Sequence, residues 1–184
     1  MHADMLDGRP VVIVDPDTSW PEMFEAERVR LSDALVGLVV AIEHYGSTAV
    51  PALSAKPVID ILIGLHDLGQ ADRCQAPLNS LGYLLYPQGC FDGRVAYLRF
   101  LVGRLAYNLS VCQYGSAYWN SHLLFRDRLR QDGPLAQDYE QLKRELAAKY
   151  RDNRIAYQYF KTDFISSICG QGWIGEPPKL SDER

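Results

Sequence analysis

The chain has 184 residues, of which 47% are hydrophobic, and this is enough to build the core of one domain of ordinary size. It carries 19 basic and 23 acidic residues, a formal net charge of -4, so no overall positive field would draw it onto nucleic acid or an anionic membrane. Any binding of phosphate must therefore be local, and we expect the partner to be a small anionic molecule or a nucleotide.

The N-terminus and the cysteines narrow the class of protein further. The segment 1–10 contains acidic residues where a signal peptide needs a basic stretch, and no later segment approaches the roughly 20 apolar residues of a membrane span. We therefore expect a cytoplasmic protein. The 4 cysteines stand at long, irregular spacings without a CxxC pair, so neither structural zinc nor a disulfide framework is expected.

The first predicted elements are a helix and a strand that lead into a glycine turn. Ser19 can cap the helix, Pro21 suits its first turn, and apolar residues then recur at helical spacing over 20–37. A short β-rich run over 38–42 follows and enters a turn at Gly46. We therefore read this region as a helix, a strand and a glycine turn.

A second predicted strand, 57–63, is nearly continuous in apolar residues but contains Asp60. A run this apolar is usually a central strand that is covered on both faces. An ionised carboxylate within it costs several kcal/mol unless a metal, a cation or hydrogen bonds meet it. Asp60 is therefore a candidate functional residue.

The remainder of the chain predicts one helix, a tight hairpin of two strands and then three helices. Their expected bounds are 67–81 for the first helix, broken near Pro77, 95–102 and 105–113 for the strands, and 116–133, 134–150 and 154–168 for the final helices. Alternate residues of the second hairpin strand, Asn108 and Ser110 among them, form a small and polar face. Since no repeat or long linker divides the chain, we expect a single domain over 1–184, with its core over about 16–168 and a poorly ordered tail over 170–184.

Gly46 and Ser47 stand at the end of one strand, and Asp60 follows 13 residues after Ser47 inside another. Nucleotidyltransferases of the polymerase β type hold a nucleoside triphosphate with this layout. The glycine lets the backbone approach phosphate oxygens, the serine and nearby N–H groups donate to them, and strand carboxylates hold Mg²⁺. On this reading Gly46, Ser47 and Thr48 bind substrate, and the alternative for Ser47 is an ordinary β-turn serine.

The segment from His44 to Ile61, HYGSTAVPALSAKPVIDI, resembles the diagnostic block of the GrpB family. That family is a branch of the nucleotidyltransferase-fold superfamily, and in some bacteria it is fused behind dephospho-CoA kinase. Further blocks agree in the same order: Gly115-Ser116 with Trp119, His122 to Arg130, Tyr139 with Leu142-Lys143, and Tyr157 with Lys161 and Phe164-Ile165. The resemblance spans roughly 16–168. It implies an α+β fold of the nucleotidyltransferase-like, polymerase β type, in which helices flank a mixed sheet and the C-terminal part is helical.

The sequence departs from the resemblance where the superfamily holds its metal. The metal-binding strand usually reads Asp-hydrophobic-Asp or Glu, but Leu62 stands at the second position. A third acidic residue normally comes from a later strand, where this chain has Asn108 and Ser110, which we take as substrate-binding residues. Asp60 alone would hold Mg²⁺ weakly and together with substrate phosphates, so two-metal catalysis is not expected.

The resemblance also implies a set of basic residues. Arg126, Lys143 and Lys161 stand where the family expects Arg or Lys, and a guanidinium with two ammonium groups would make a cradle for phosphate or carboxylate. Lys56 is either the charge partner of Asp60 or a further phosphate contact. All four basic residues are therefore candidate substrate-binding residues.

Two histidines accompany these residues. His122 lies one helical turn before Arg126 and can point the same way, so we count it with Asp60 as a candidate catalytic residue. His44, beside an apolar run, is more typical of a hydrogen-bonded structural group.

The leading hypothesis is an enzyme related to nucleotidyltransferases that acts on a small anionic or nucleotide-type substrate, with Asp60 holding a metal or acting as a base. One alternative is a noncatalytic ligand-binding or chaperone-like domain that keeps the pocket without the metal ligands. Another is a family member recruited to a different transfer or condensation reaction in small-molecule biosynthesis. We expect Ser47, Lys56, Asp60, Arg126 and Lys143 to meet in one concave site.

Overall fold

The computed structural model describes residue 6, residues 9–102 and residues 104–170. The tail that we expected to be poorly ordered, 170–184, lies outside the described residues apart from Gly170. Within the described ranges, no helix combines the length and the apolar character needed to cross a bilayer.

A mixed sheet of five strands forms the centre of the described part of the chain. Its strands are β1 (Val39–Tyr45), β2 (Ile59–Leu65), β3 (Leu84–Leu85), β4 (Val95–Leu101) and β5 (Arg104–Gln113). The order across the sheet is β1-β2-β5-β4-β3, and β2 runs parallel to β5 whereas the other neighbours are antiparallel. The predicted α+β class with a mixed sheet is confirmed.

Five α-helices are found in the same described ranges and pack against this sheet or one another. They are α1 (Trp20–Ala34), α2 (Asp72–Ser80), α3 (Ala117–Gln131), α4 (Gly133–Lys149) and α5 (Arg154–Cys169). The helices α1 and α2 contribute to the main core on one face of the sheet. The helices α3, α4 and α5 follow one another directly and form the expected helical C-terminal part.

Side chains alternate along β2 between two layers. Ile59, Ile61 and Ile63 belong to the main core with α1 and α2. Leu62 lies on the opposite face and packs against aromatic residues of α3, and Asp60 shares that face because strand side chains alternate. Each buried apolar side chain of this size contributes about 1.5–3 kcal/mol, so the isoleucines stabilise the strand while the other face is left for the site.

The end of the first helix and the contact at its start differ from the predicted ones. The helix α1 ends at Ala34, because a turn that contains Gly37 at φ 77° follows it. The side chain of Ser19 makes no capping hydrogen bond, and the carboxylate of Asp17 instead accepts from the Ser19 N–H. The helix therefore begins where predicted but with a different polar contact.

The predicted break at Pro77 is wrong, since α2 runs through it from Asp72 to Ser80. A proline inside a helix removes one hydrogen bond and costs about 3 kcal/mol. Cys74 and Leu78, both fully buried, hold this helix in the main core on either side of the proline. Tertiary packing thus overrides the local helix-breaking tendency.

Candidate functional site

A cleft opens on the face of the sheet that carries Asp60. It has a volume of about 270 Å³ and lies between the ends of β1 and β2 on one side and α3, α4 and α5 on the other. The predicted site residues that line it are Gly46, Ser47, Thr48, Lys56, Asp60, Asn108, His122, Lys143 and Lys161. Two other predicted site residues, Arg126 and Ser110, lie outside the cleft wall.

The turn after β1 approaches the Asp60 carboxylate closely, and this approach requires a glycine. Gly46 has φ 74° and ψ -174°, a conformation that is essentially restricted to glycine. A Cβ at this position would lie 2.3 Å from Oδ2 of Asp60. The backbone of Gly46 therefore lies against the Asp60 carboxylate. Ser47 and Thr48 follow it in the cleft wall.

His44 fixes the turn that contains Gly46 through a contact with Thr48. Its Nε2 lies 3.0 Å from Oγ1 of Thr48, which in turn donates a hydrogen bond of 3.2 Å to the carbonyl of Val58. Its ring is stacked on Phe24 with 4.7 Å between the centroids. Burial, with the charges of two nearby arginines, lowers the pKa of His44 to about 4. His44 is thus a neutral group that fixes the turn geometry, in the structural role expected of it.

Asp60 lies in β2 between Tyr45 of β1 and Asn108 of β5. Its Oδ1 accepts a hydrogen bond of 2.8 Å from Nδ2 of Asn108. Burial raises the pKa of Asp60, while the Asn108 hydrogen bond and the charge of Lys56 act in the opposite direction. The amide therefore orients the carboxylate and favours its ionised form in a half-buried position.

Cationic side chains from four separate segments surround this carboxylate. Those that line the cleft are Lys56, Arg94, Lys143, Arg154 and Lys161, and Asp60 is the single carboxylate among the described lining residues. Sequence reasoning had missed Arg94 and Arg154, which carry no local motif. Because like charges repel strongly in a partly dry cleft, such a cluster calls for an anion.

The lysines of the cluster lie over aromatic rings of the helical wall. The Nζ atoms of Lys56 and Lys161 are 5.6 Å and 4.7 Å from the ring centroid of Tyr157. The Nζ atom of Lys143 is 4.9 Å from the ring centroid of Tyr139. Such contacts are favourable to a cation by about 0.5–2 kcal/mol each, but they do not neutralise its charge.

Burial lowers the pKa of all three lysines, and neighbouring positive charges add to the effect. Burial and the charge of Lys161 lower the pKa of Lys143 to about 7. Burial lowers the pKa of Lys161 to about 8, with Asp60 acting in the opposite direction. Burial and the neighbouring Arg154 charge also hold the pKa of Lys56 well below its ordinary value. An anion in the cleft would favour the charged form of all three.

Arg94 is fixed from three sides. Its Nε donates a hydrogen bond of 2.9 Å to Oγ of Ser110, and its guanidinium carbon lies 5.9 Å from the ring centroids of both Phe91 and Tyr118. The Ser110 hydroxyl is fully buried and also lies 2.9 Å from the hydroxyl of Tyr45. Ser110 therefore reaches the site indirectly, through Arg94.

Arg126 does not reach the cleft. Its Nη1 donates to Glu43 at 2.7 Å and to the carbonyl of His44 at 3.0 Å, and its Nε donates to Asp127 at 2.8 Å. The one-turn spacing from His122 had suggested a common direction, but these acidic and carbonyl oxygens draw Arg126 towards β1. The structure therefore brings the other four residues of the expected cluster together without Arg126.

His122 lines the cleft within an aromatic wall. Its Nδ1 lies 2.8 Å from the carbonyl of Tyr118, and its ring centroid lies 4.0 Å from that of Tyr118 and 5.4 Å from that of Tyr45. Burial lowers the pKa of His122 to about 4. The carbonyl can only accept, so the neutral imidazole carries its proton on Nδ1, and Nε2 is the acceptor.

These donors do not fit a site that would hold Mg²⁺. Leu62, at the position where the superfamily has a second carboxylate, is fully buried against Tyr45 and Trp119. No group of three or more His, Cys, Asp or Glu side chains that could hold a metal is found in the described ranges. A hard cation needs several oxygen ligands, whereas Asp60 is surrounded here by positive charge.

Comparison with known proteins shows to which family the chain belongs. A family model described as "GrpB protein" matches residues 10–171. The chain belongs to the GrpB family. The "Glutamate-rich protein GrpB" of Alkalihalophilus pseudofirmus is 30% identical to it over 165 residues, which cover 88% of this chain and 95% of that relative. The resemblance read from the sequence is thereby confirmed.

Solved structures share the fold. The crystal structure of the conserved protein GrpB from Enterococcus faecalis has a TM-score of 0.79 at 28% identity and covers 88% of this chain and 96% of that one. The structure of Cid1 in complex with its short product ApU has a TM-score of 0.56 at 13% identity and covers 83% and 48% of the two chains. At this identity the likeness to Cid1 shows the fold alone, and it confirms the predicted nucleotidyltransferase-like architecture of this GrpB-family chain.

Proposed function

We propose that the cleft binds a small phosphorylated, nucleotide-type molecule and that the protein acts on it as a transferase-related enzyme. The observation that carries this proposal is the convergence of Lys56, Lys143 and Lys161 beside the half-buried Asp60. Buried cations are stable only when they are paired or neutralised. A phosphate group between them would supply the missing negative charge and several acceptor oxygens at once.

Each part of the cleft has a role in this proposal. The lysines and Arg154 hold the phosphate oxygens, and the hydroxyl of Ser47 and the backbone beside Gly46 donate to them. Asp60, oriented by Asn108, accepts the proton of a hydroxyl group that attacks a phosphorus atom of the ligand, while the bond from that phosphorus to the leaving phosphate breaks. His122 is neutral and lies in the cleft wall, where its ring would contact the ligand.

The size of the cleft supports a small ligand. Its volume of about 270 Å³ is close to the lower end of the roughly 300–1,000 Å³ typical of small-molecule sites. The net charge of -4 opposes a long nucleic-acid partner. Cid1, which shares the fold, has been solved with MgGTP, and this motivates the inclusion of nucleotides among the ligands to test.

No step of the proposed reaction passes through a metal. Mg²⁺ would have Asp60 as its single carboxylate in the described part of the cleft, and the surrounding lysines would repel it. Positive side chains can stabilise phosphate charge without any metal.

A thermal-shift panel tests the proposal. Inorganic phosphate, pyrophosphate and nucleoside mono-, di- and triphosphates are added with EDTA present, and those that bind raise the melting temperature. At least one phosphorylated compound should stabilise the wild-type protein, and Lys161→Met should abolish the shift. Lys149→Met, an exposed lysine at the end of α4, is the matched control and should keep it. A panel without any stabilising phosphorylated compound would refute the proposal.

A noncatalytic binding protein is the second candidate, and the burial of Leu62 in an apolar cluster favours it. The two candidates differ in turnover. For an enzyme, Asp60→Asn should bind the ligand no more weakly than wild type and lose product formation. If the wild-type protein forms no product from any ligand that binds, the noncatalytic candidate takes precedence.

A further inference from the structure

Arg94 lines the cleft near the Asp60 carboxylate. Arg94 lies just before β4, and its Nε donates to Ser110 on the sheet face that also carries Asn108. Ser110 stands at one of the positions where the resemblance led us to expect an acidic residue. A serine at this place anchors the guanidinium without supplying a negative charge, whereas a carboxylate would have formed an ion pair with it.

We propose that Arg94 is an anion-binding residue that supplies, beside Asp60, the positive charge that a divalent metal would otherwise supply, so that phosphorylated ligands bind this cleft without a metal. This inference rests on the proposed function and deepens it. It identifies Arg94 as a residue that binds an oxyanion of the ligand in the cleft that Lys143 and Lys161 also line.

The geometry of the guanidinium supports this role. The Phe91 and Tyr118 rings, each 5.9 Å from its central carbon, limit its rotation, and Nε is engaged by Ser110. Within the described residues, neither Nη group of Arg94 has a hydrogen-bond acceptor, although the side chain lines the cleft. Two parallel N–H donors on a fixed plane suit a bidentate contact with phosphate.

A purely structural role as the counter-ion of Asp60 fits less well. The hydrogen bond of Arg94 goes to Ser110, and that of Asp60 comes from Asn108. The two charges are close enough to interact through space, since the Arg94 charge favours the ionised form of Asp60. Each has a neutral hydrogen-bond partner of its own, and no hydrogen bond between the two side chains is found among the described residues.

Ser110 is the positioning residue of this arrangement. Its hydroxyl is fully buried, and the hydroxyls of Tyr45 and Tyr118 lie 2.9 Å and 3.5 Å away. The Ser110 oxygen accepts from Nε of Arg94 and from the Tyr118 hydroxyl, which uses both of its lone pairs, so its own O–H donates to the Tyr45 hydroxyl. Ser110→Ala would keep the charge of Arg94 but release its orientation.

Calorimetric titration with inorganic pyrophosphate tests the inference. The wild-type affinity for free pyrophosphate should agree within about twofold between EDTA and millimolar Mg²⁺. The concentration of free pyrophosphate is calculated in each condition, because Mg²⁺ binds part of it. Arg94→Met should lose about tenfold or more in both conditions, as expected for one charge-assisted contact, and Arg94→Lys and Ser110→Ala should lose less. Arg128→Met, an exposed arginine of α3, is the matched control and should bind as wild type does.

The outcomes separate this inference from the proposed function. If the wild-type protein binds pyrophosphate in neither condition, the proposed function fails and the inference fails with it. If Lys161→Met weakens binding but Arg94→Met does not, or if the wild-type protein needs Mg²⁺, the inference alone is overturned. The comparison of EDTA with Mg²⁺ requires no variant and tests metal independence even if Arg94→Met does not fold. In that case Ser110→Ala tests Arg94, and an unchanged affinity of this variant would overturn the inference.

Discussion

Lys143 and Lys161 are buried lysines whose protonated, charged form is disfavoured by the fold. Their pKa values, about 7 and about 8, lie below the ordinary 10.5 because the side chains are buried near other cations. The folded protein therefore binds fewer protons than the unfolded chain between about pH 7 and 10.5, so stability rises with pH across this window. Anion binding has the opposite dependence, because it favours the charged lysines.

We predict that raising the pH from about 7 to about 9 increases the urea midpoint of the ligand-free protein and weakens the binding of sulfate, whose charge is constant in this range. Lys161→Met should reduce both slopes, and Lys149→Met should leave both as in wild type. Urea denaturation and a sulfate titration at each pH measure these effects. A midpoint that falls as the pH rises would show that the lysines are not the controlling groups.

Gly46 gives a second prediction at the same scale. Gly46→Ala should destabilise the protein by about 2–4 kcal/mol, because it combines positive-φ strain with a clash against the Asp60 carboxylate. Gly115 has a similar φ of 72° and no atom within 4 Å of a built Cβ, so Gly115→Ala should cost only about 1–2 kcal/mol. Free energies of unfolding from urea titrations check the difference. Equal losses would mean that the close approach to Asp60 does not constrain position 46.

At the scale of elements, Arg126 joins α3 to β1. Its guanidinium is largely buried and bonds to Glu43 and the His44 carbonyl on the strand. These contacts hold the helix that carries His122 and Tyr118 against the strand that leads into the Gly46 turn. Arg126 thus supports two walls of the cleft from outside it.

Arg126→Met should therefore reduce the free energy of unfolding by about 2–3 kcal/mol, the usual effect of removing charged hydrogen bonds, while pyrophosphate affinity changes less than about twofold. Arg128→Met, on the same helix, should change stability by no more than about 0.5 kcal/mol. Urea denaturation and calorimetry on both variants make the test. A variant of full stability that has lost pyrophosphate binding would restore Arg126 to the site.

At the scale of the whole molecule, some parts of the candidate site could be predicted from short stretches of sequence. The alternation of side chains along strands and the residues typical of turns predicted them. The strand with a single carboxylate, the glycine turn and the polar face of β5 follow from local patterns, so Gly46, Asp60 and Asn108 could be placed from the sequence. Arg94 and Arg154 could not, because they lie in segments far apart in the chain and no spacing rule connects them. Only the packing of α5 and the loop before β4 around the cleft brings them together.

Local sequence patterns also could not predict which way a helical side chain points. His122 and Arg126 are one turn apart on α3, yet His122 lines the cleft and Arg126 bonds to Glu43. The deciding factor is the partner on a neighbouring strand, and helical spacing carries no information about it. In the same way, the burial of Cys74 and Leu78 decides that α2 continues through Pro77.

The most direct test of the central claim is a crystal structure of the protein grown with pyrophosphate and EDTA. We predict that the anion occupies the cleft, with its oxygens within hydrogen-bond distance of Nζ of Lys143 and Lys161 and of the Nη groups of Arg94, and with no metal beside Asp60. An anion bound elsewhere while the cleft stays empty would contradict the account. So would pyrophosphate that enters only when Mg²⁺ is added and then contacts a metal held by Asp60.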